Sequence, residues 1–305
     1  MFKSDSSDQP AYLKMSEEER ADRVNQFYRI MNRCSFCPRR CRINRIQGER
    51  GQCGAAGDLY ISSAGPHFGE ERELVGRGGS GTIFFSNCNL ACIYCQNWTI
   101  SRGLDTDRPS STEELSKTML RLQEDGCSNI NLVTPTPYLY HITSAIDRAA
   151  RDGLKLPVVY NCGGYEAVES LKLLEGFIDI YMPDAKYGSD QRGEAYSGVK
   201  DYYSRLREAL KEMQRQVGDL QVGPDGMACR GLLVRHLVLP DNLSESETVA
   251  RMLKEEISPH CAVNVMAQYY PAHLANQYPS LNRRLSSLEF LEAREAFLNA
   301  GLRIL

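Results

Sequence analysis

At 305 residues the chain has room for one large α/β barrel with an appendage or for two ordinary domains. Charged residues make up 25% and hydrophobic residues 42%, with a formal net charge of -3 and a pI near 6.0; this balance supplies no global basic field for nucleic acid, and no run approaches the roughly 18 apolar residues of a membrane span. Eleven cysteines in a chain that begins MFKSDSSDQPAYLK, with no apolar signal core, are expected to be thiols of a cytoplasmic, reducing compartment and not a secreted disulfide framework.

Residues 1–15 read as a polar, mobile tail. Ser16 followed by Glu19 three positions later is a capping box, and Val24, Phe27, Tyr28 and Met31 then recur at helical spacing to a helix end near Asn32. Directly after it, CSFCPRRCRINRIQGERGQCG carries Cys34, Cys37, Cys41 and Cys53 in a C-x2-C-x3-C-x11-C arrangement. Four thiolates so close are enough for a tetrahedral zinc or mononuclear iron site, or for a complete auxiliary iron-sulfur cluster; reduced, unligated thiols are the third reading. The neighbouring Arg39, Arg40, Arg42 and Arg45 read as a solvated loop that lowers thiol pKa values, with binding of an acidic partner as the alternative.

Residues 58–78 read as a connecting segment with a short strand at 59–62. His67, Glu70, Glu71 and Glu73 form either a metal-binding patch or, more simply, a solvated acidic turn, and Gly76, Gly78, Gly79 and Gly81 permit a tight bend into the next strand. GRGGSG lacks the Lys-Ser/Thr ending of a phosphate-binding loop. From Thr82 onward, short apolar runs at 82–86, 130–134, 157–161, 178–183, 232–239 and 262–266 alternate with helical patterns at 112–125, 141–152, 167–174, 202–217 and 246–257. That alternation predicts an α/β fold of parallel strands joined by crossovers, with ligand sites at the strand C-terminal ends.

The first of those ends is SNCNLACIYCQNW, where Cys88, Cys92 and Cys95 stand at C-x3-C-x2-C. Three thiolates on one tight loop suit three irons of a four-iron, four-sulfur cluster, leaving the fourth iron open to a chelating small molecule; zinc ligands or buried fillers are the alternatives. Further strand ends carry Thr134 and Thr136, then Asn161 with Cys162, then Asp184 and Lys186 at spacing two, then Arg235 beside His236, and finally Gln268 and Tyr269. Cys162 is expected to be packing, with no adjacent base evident in the sequence. Strand alternation allows only one of Arg235 and His236 to face the barrel interior.

The cysteine loop, with Tyr94 before its third Cys, resembles the signature of radical S-adenosylmethionine (SAM) enzymes. The phrases CPRRC, SGTIFFSNCNLACIYCQN, NINLVTPTP, VVYNCGGYE, EMQRQVGDL and LLVRHLVLP resemble a branch related to pyruvate formate-lyase activating enzyme that has an N-terminal Cys-rich segment. The resemblance, which runs from about Cys34 to the end, implies a partial (β/α)6 barrel over residues 79–305 with a C-terminal helix, preceded by a Cys-rich metal-binding segment and linker over 32–78; residues 1–31 are read as the polar N-terminus and its helix. The resemblance also implies a 4Fe-4S cluster on Cys88, Cys92 and Cys95, and SAM as the ligand that closes the fourth iron. Reductive cleavage of SAM would then yield a deoxyadenosyl radical that abstracts hydrogen. Asp184 and Lys186 match the Asp-x-Lys segment of glycyl-radical activases; Lys186 suits the methionine carboxylate and Asp184 the ammonium or ribose. Asn161 and His236 are the further SAM-binding candidates. The Gly-Gly-Glu segment of many relatives is absent after the second strand. Expected partners are a low-potential electron donor such as flavodoxin or ferredoxin and a substrate, with a glycine of a partner enzyme as the leading form and another peptide, nucleic acid or small molecule as the alternative. A reading from another class is a non-catalytic metal-binding scaffold.

Overall fold

The computed structural model describes residues 9–103 and 108–305. Its strands are β1 (Ile61–His67), β2 (Ser80–Phe85), β3 (Ile130–Val133), β4 (Val158–Cys162), β5 (Ile180–Pro183), β6 (Gln221–Val222), β7 (Ala228–Leu237), β8 (Ala262–Met266) and β9 (Arg303–Ile304). They form one sheet in the order β1-β2-β3-β4-β5-β7-β8-β9, with β6 paired to β7. From β2 through β5 and on to β7, β8 and β9 every pairing along this path is parallel, and only β1 on β2 and the short β6 on β7 are antiparallel. The result is an α/β fold with a mostly parallel sheet curved into an unclosed barrel, whose open side lies between β1 and β9.

The helices are α1 (Ala11–Lys14), α2 (Glu17–Met31), α3 (Arg72–Val75), α4 (Trp98–Ser101), α5 (Thr112–Glu124), α6 (Leu139–Arg151), α7 (Val168–Leu174), α8 (Asp190–Ser197), α9 (Tyr202–Val217), α10 (Ser246–Met252) and α11 (Ser287–Asn299). Ser16 and Glu19 close the expected capping box on α2, and Ser111 with Glu114 and Ser286 with Glu289 repeat it on α5 and α11. Strand alternation divides the apolar residues: Val159, Ile180, Met182, Leu233 and Ala262 pack together with Leu74 of α3 inside the barrel, while Tyr160, Tyr181, Val234 and Val263 join the larger core under the helices.

Two expectations change. The tail reading fails from Ala11 onward, because Tyr12 is fully buried and its hydroxyl donates to the Leu156 carbonyl at 2.9 Å; residues 1–8 lie outside the described residues. Nor is the 58–78 segment a connector with a solvated turn. Its strand extends to His67, antiparallel to β2, and the chain then turns under the barrel, where Glu71 is buried. The glycines do serve the bend: Gly79 has φ 82°, and a Cβ on Gly78 would stand 1.9 Å from the Gly126 carbonyl oxygen.

Candidate active site

The loop after β2 is held at both sides. Asn87 adopts a left-handed φ of 71° and its Oδ1 accepts the Tyr138 hydroxyl at 2.8 Å, while the Asn89 amide donates to the Tyr165 carbonyl at 2.6 Å. On the other flank, the end of α8 receives the N–H of Ala91 on the Ser197 carbonyl (2.9 Å) and that of Ile93 on the Tyr196 carbonyl (3.0 Å). These bonds aim Cys88, Cys92 and Cys95 into one cavity of about 440 Å³ at the C-terminal ends of the strands. Cys92 Sγ is 2.9 Å from Ser197 Oγ, and the Leu90 N–H donates to Cys88 Sγ at 3.4 Å. Burial pushes the Cys88 thiol up to about 12 and raises Cys92 as well, against the pull of Lys186 on Cys92; such thiols ionise when a metal takes their charge.

Asn161, Asp184 and Lys186 border the same cavity. Lys186 Nζ donates to Asp184 Oδ2 at 2.6 Å. Burial acts to lower the ammonium, but Asp184 and Cys92 outweigh it and hold Lys186 well above its usual range, so it stays charged. Thr134 also borders the cavity and has φ 60°, a rare state for a β-branched residue. Thr136 points elsewhere, donating to Glu166 Oε1 at 2.8 Å. Gln268 lines the cavity, whereas Tyr269 is core, its hydroxyl on the Leu281 carbonyl at 2.7 Å.

His236 does not border the cavity. It points out of the barrel, fully buried against Phe297 of α11, because the period-two alternation of β7 gives the interior to Arg235. Its Nδ1 meets the Ala185 carbonyl at 2.7 Å and its Nε2 meets Ser246 Oγ at 2.9 Å. A carbonyl only accepts, so Nδ1 carries the proton and Nε2 accepts; burial lowers the imidazole to about 4 and keeps it neutral. The sequence reading of a direct SAM contact is corrected to a support for Ala185, the residue between Asp184 and Lys186.

Sequence reasoning missed two groups. Arg235 reaches down the barrel to Glu71, with Nε on Oε1 at 2.7 Å and Nη2 on Oε2 at 2.6 Å, and also pairs with Glu70. Asn264 Nδ2 adds a bond to Glu71 Oε1 at 2.7 Å. Glu70 and Glu71 enter from the β1–β2 connection while Arg235 and Asn264 belong to β7 and β8, so this network ties that connection to the far side of the sheet and floors the cavity. Burial raises the Glu71 carboxyl, but Arg235 dominates and holds it below its usual value. The other group is Glu166, buried beside Thr136, Tyr160 and Cys162 and pushed up to about 8 by that burial. It is the acid–base neighbour of Cys162 that the sequence concealed; Cys162 borders the cavity of the three loop cysteines, and burial raises its thiol well above the usual range.

Cys34, Cys37, Cys41 and Cys53 line a second, smaller cavity of about 20 Å³, bordered also by Arg45, Asn89 and Thr136. The Gln52 N–H donates to Cys41 Sγ at 3.4 Å, and burial raises the Cys34 and Cys37 thiols, against the expectation that the arginines lower them. Among the described residues no three His, Cys, Asp or Glu side chains stand at the spacing of one bound ion, neither here nor at Cys88, Cys92 and Cys95. The solvated-loop reading of the arginines fails for Arg45, which is 2% exposed, and for Arg39, whose Nε donates to the Asn89 carbonyl at 2.5 Å.

Comparison with known proteins gives this geometry a context. A sequence profile for the radical SAM superfamily matches residues 82–227. An uncharacterized protein of Methanocaldococcus jannaschii is 35% identical over 275 residues, covering 87% of this chain and 74% of that protein. A second uncharacterized protein of the same organism is 24% identical over 299 residues, covering 89% and 79%. Among solved structures, a radical SAM methyltransferase from Sphaerobacter thermophilus superposes with a TM-score of 0.51 at 15% identity, over 73% of this chain and 65% of that one. Streptococcus suis SuiB bound to precursor peptide SuiA gives 0.50 at 10% identity, over 72% and 46%. The chain thus spans less than two thirds of either solved protein, and at these identities the likeness is one of fold. With the profile over β2 to β6 and a relative that follows most of the chain, the protein belongs to the radical SAM superfamily.

Proposed function

We propose that the protein is a radical SAM enzyme whose leading substrate is a glycine of a partner protein. The observation that carries the radical SAM reading is the convergence of Cys88, Cys92 and Cys95 with the Asp184–Lys186 pair on one cavity. The donor set fits a four-iron cluster held at three corners: the remaining thiol at the cavity wall, Cys162, is buried beside Glu166 and raised well above its usual range by that burial. When bound, the cluster and SAM supply one electron and a deoxyadenosyl radical for hydrogen abstraction. Lys186 offers its ammonium to the methionine carboxylate, Asp184 accepts from the amino group or ribose, and Asn161 adds a side-chain amide. The volume of about 440 Å³ falls within the roughly 300–1,000 Å³ of small-molecule sites. With the floor closed by Glu71 and Arg235, a substrate group enters from the strand C-terminal ends. The four N-terminal thiols are read as a second metal centre, zinc or a further iron-sulfur cluster, and a flavodoxin or ferredoxin as the electron source.

The glycine reading is supported by the Asp-x-Lys resemblance to activases. Its test is deuterium transfer into 5'-deoxyadenosine from a glycyl radical enzyme labelled at glycine. Transfer supports it; no transfer there, with transfer from another labelled peptide, nucleic acid or small molecule, rejects it and keeps the radical chemistry. A reconstituted, reduced chain that neither binds nor cleaves SAM would instead be a metal-binding scaffold.

A further inference from the structure

Arg45 is a buried cation without a buried anion. It is 2% exposed, and its Nε and Nη1 donate only to the neutral carbonyls of Ala56 (2.9 Å) and Pro137 (2.6 Å). Its Nη2 has no hydrogen-bond partner, the guanidinium lies over the Phe36 ring at 5.2 Å from its centroid, and no Asp or Glu pairs with it among the described residues. An unpaired buried charge is costly, and Arg does not escape by losing its proton. The group that lines the same cavity is the set of four thiols. Cys41 Sγ also receives the Gln52 N–H at 3.4 Å, while burial raises the Cys34 and Cys37 thiols, so it takes a bound cation to ionise them. Neutral thiols would leave the guanidinium without a counter-charge. Four thiolates around a divalent ion, or around an iron-sulfur core, carry net negative charge and supply it.

The same segment touches the active-site loop twice. Arg39 donates to the Asn89 carbonyl, and Gly54, next to Cys53, packs so closely that a Cβ there would stand 2.7 Å from Asn87 Nδ2. Asn87 and Asn89 flank Cys88. We propose that Arg45 is the buried counter-charge of an anionic metal–tetrathiolate centre at Cys34, Cys37, Cys41 and Cys53, and that Arg39 couples this centre to the loop that carries Cys88. The inference rests on the second-metal reading above and adds to it the charge balance and the mechanical link.

The test uses the full chain, reconstituted anaerobically with iron, sulfide and zinc, then quantified for metal and challenged with a chelator. Wild type should hold metal beyond one four-iron cluster, either one further ion or further iron with sulfide. Arg45→Met should lose that extra metal about tenfold faster, while Arg45→Lys, which keeps the charge but not the fork, stays within about threefold. Circular dichroism confirms that both variants are folded. Arg39→Gln should retain the extra metal yet alter the electron paramagnetic resonance spectrum of the reduced cluster. If wild type holds no extra metal, the metal reading falls and this inference with it. If wild type holds it and Arg45→Met releases it at the wild-type rate, the counter-charge role is overturned while the metal stands. An unchanged spectrum in Arg39→Gln overturns the coupling.

Discussion

Replacing Arg235 with Leu removes the one cation from a floor that contains two buried carboxylates. Glu71 keeps 2% of its side chain exposed and Glu70 7%, so neither recovers hydration in the variant. Breaking a buried pair from one side costs about 3–5 kcal/mol, and with an unfolding entropy of about 2.1 cal/mol/K per residue, or about 1.6 °C per kcal/mol in this chain, the melting temperature falls by about 5–8 °C. The pH dependence fixes the cause. In wild type the folded Glu71 value lies below its ordinary 4.5, so the pair's contribution is present above 4.5 and is lost only as pH falls through the folded value. In Arg235→Leu the largest influence that lowers Glu71 is gone and only Asn264 and a backbone N–H remain against burial, so the folded value of Glu71 rises and stability is lost as pH climbs away from 4.5. Urea unfolding of both proteins at about pH 6 and about pH 8 should therefore show a deficit that grows with pH. A deficit under about 1 kcal/mol, or one equal at both pH values, would refute the reasoning.

Gly54→Ala forces a side chain onto a residue at φ 87° facing Asn87; it should cost about 1–3 kcal/mol and lower iron retention on the loop of residues 88–95, measured by unfolding and iron analysis. Glu166, at about 8 in the fold against an ordinary 4.5, binds more proton folded than unfolded between those values, so it contributes stability that falls as pH rises from 4.5 through about 8. Glu166→Gln should flatten that fall in urea midpoints, and an unchanged slope would assign it to other groups. His236→Ala leaves the Ala185 carbonyl without its ring N–H and the Ser246 hydroxyl with Ser244 alone; it should cost about 2–4 kcal/mol while weakening SAM binding, read by calorimetry, less than Lys186→Met does.

Much of the barrel was legible because burial on a parallel sheet writes itself as apolar runs, and the six strands of the barrel wall fell within a few residues of their predicted places. The cap at Ser16 was legible for a local reason, since its partner Glu19 lies one turn away. α8 was not, because its eight residues DQRGEAYS carry no apolar stripe; what orders it is contact with the loop at Ala91 and Ile93. Distance in sequence hid the rest. Glu71 and Arg235 stand 164 positions apart, and an acidic run beside glycines looks solvated until a guanidinium arrives from another strand. Arg45 misled for the same reason: in a run of arginines nothing local distinguishes the one whose side chain turns inward. The choice between Arg235 and His236 depended on strand phase, which their adjacency could not reveal.

The most direct measurement of the central claim is 5'-deoxyadenosine formed from SAM under a strong reductant by the anaerobically reconstituted chain, beside Cys92→Ala and Lys186→Met. The account expects product from wild type, none from Cys92→Ala, and weaker SAM binding with an intact cluster in Lys186→Met. Product at wild-type level from Cys92→Ala, or none from wild type carrying a complete cluster with labelled substrates supplied, would contradict it.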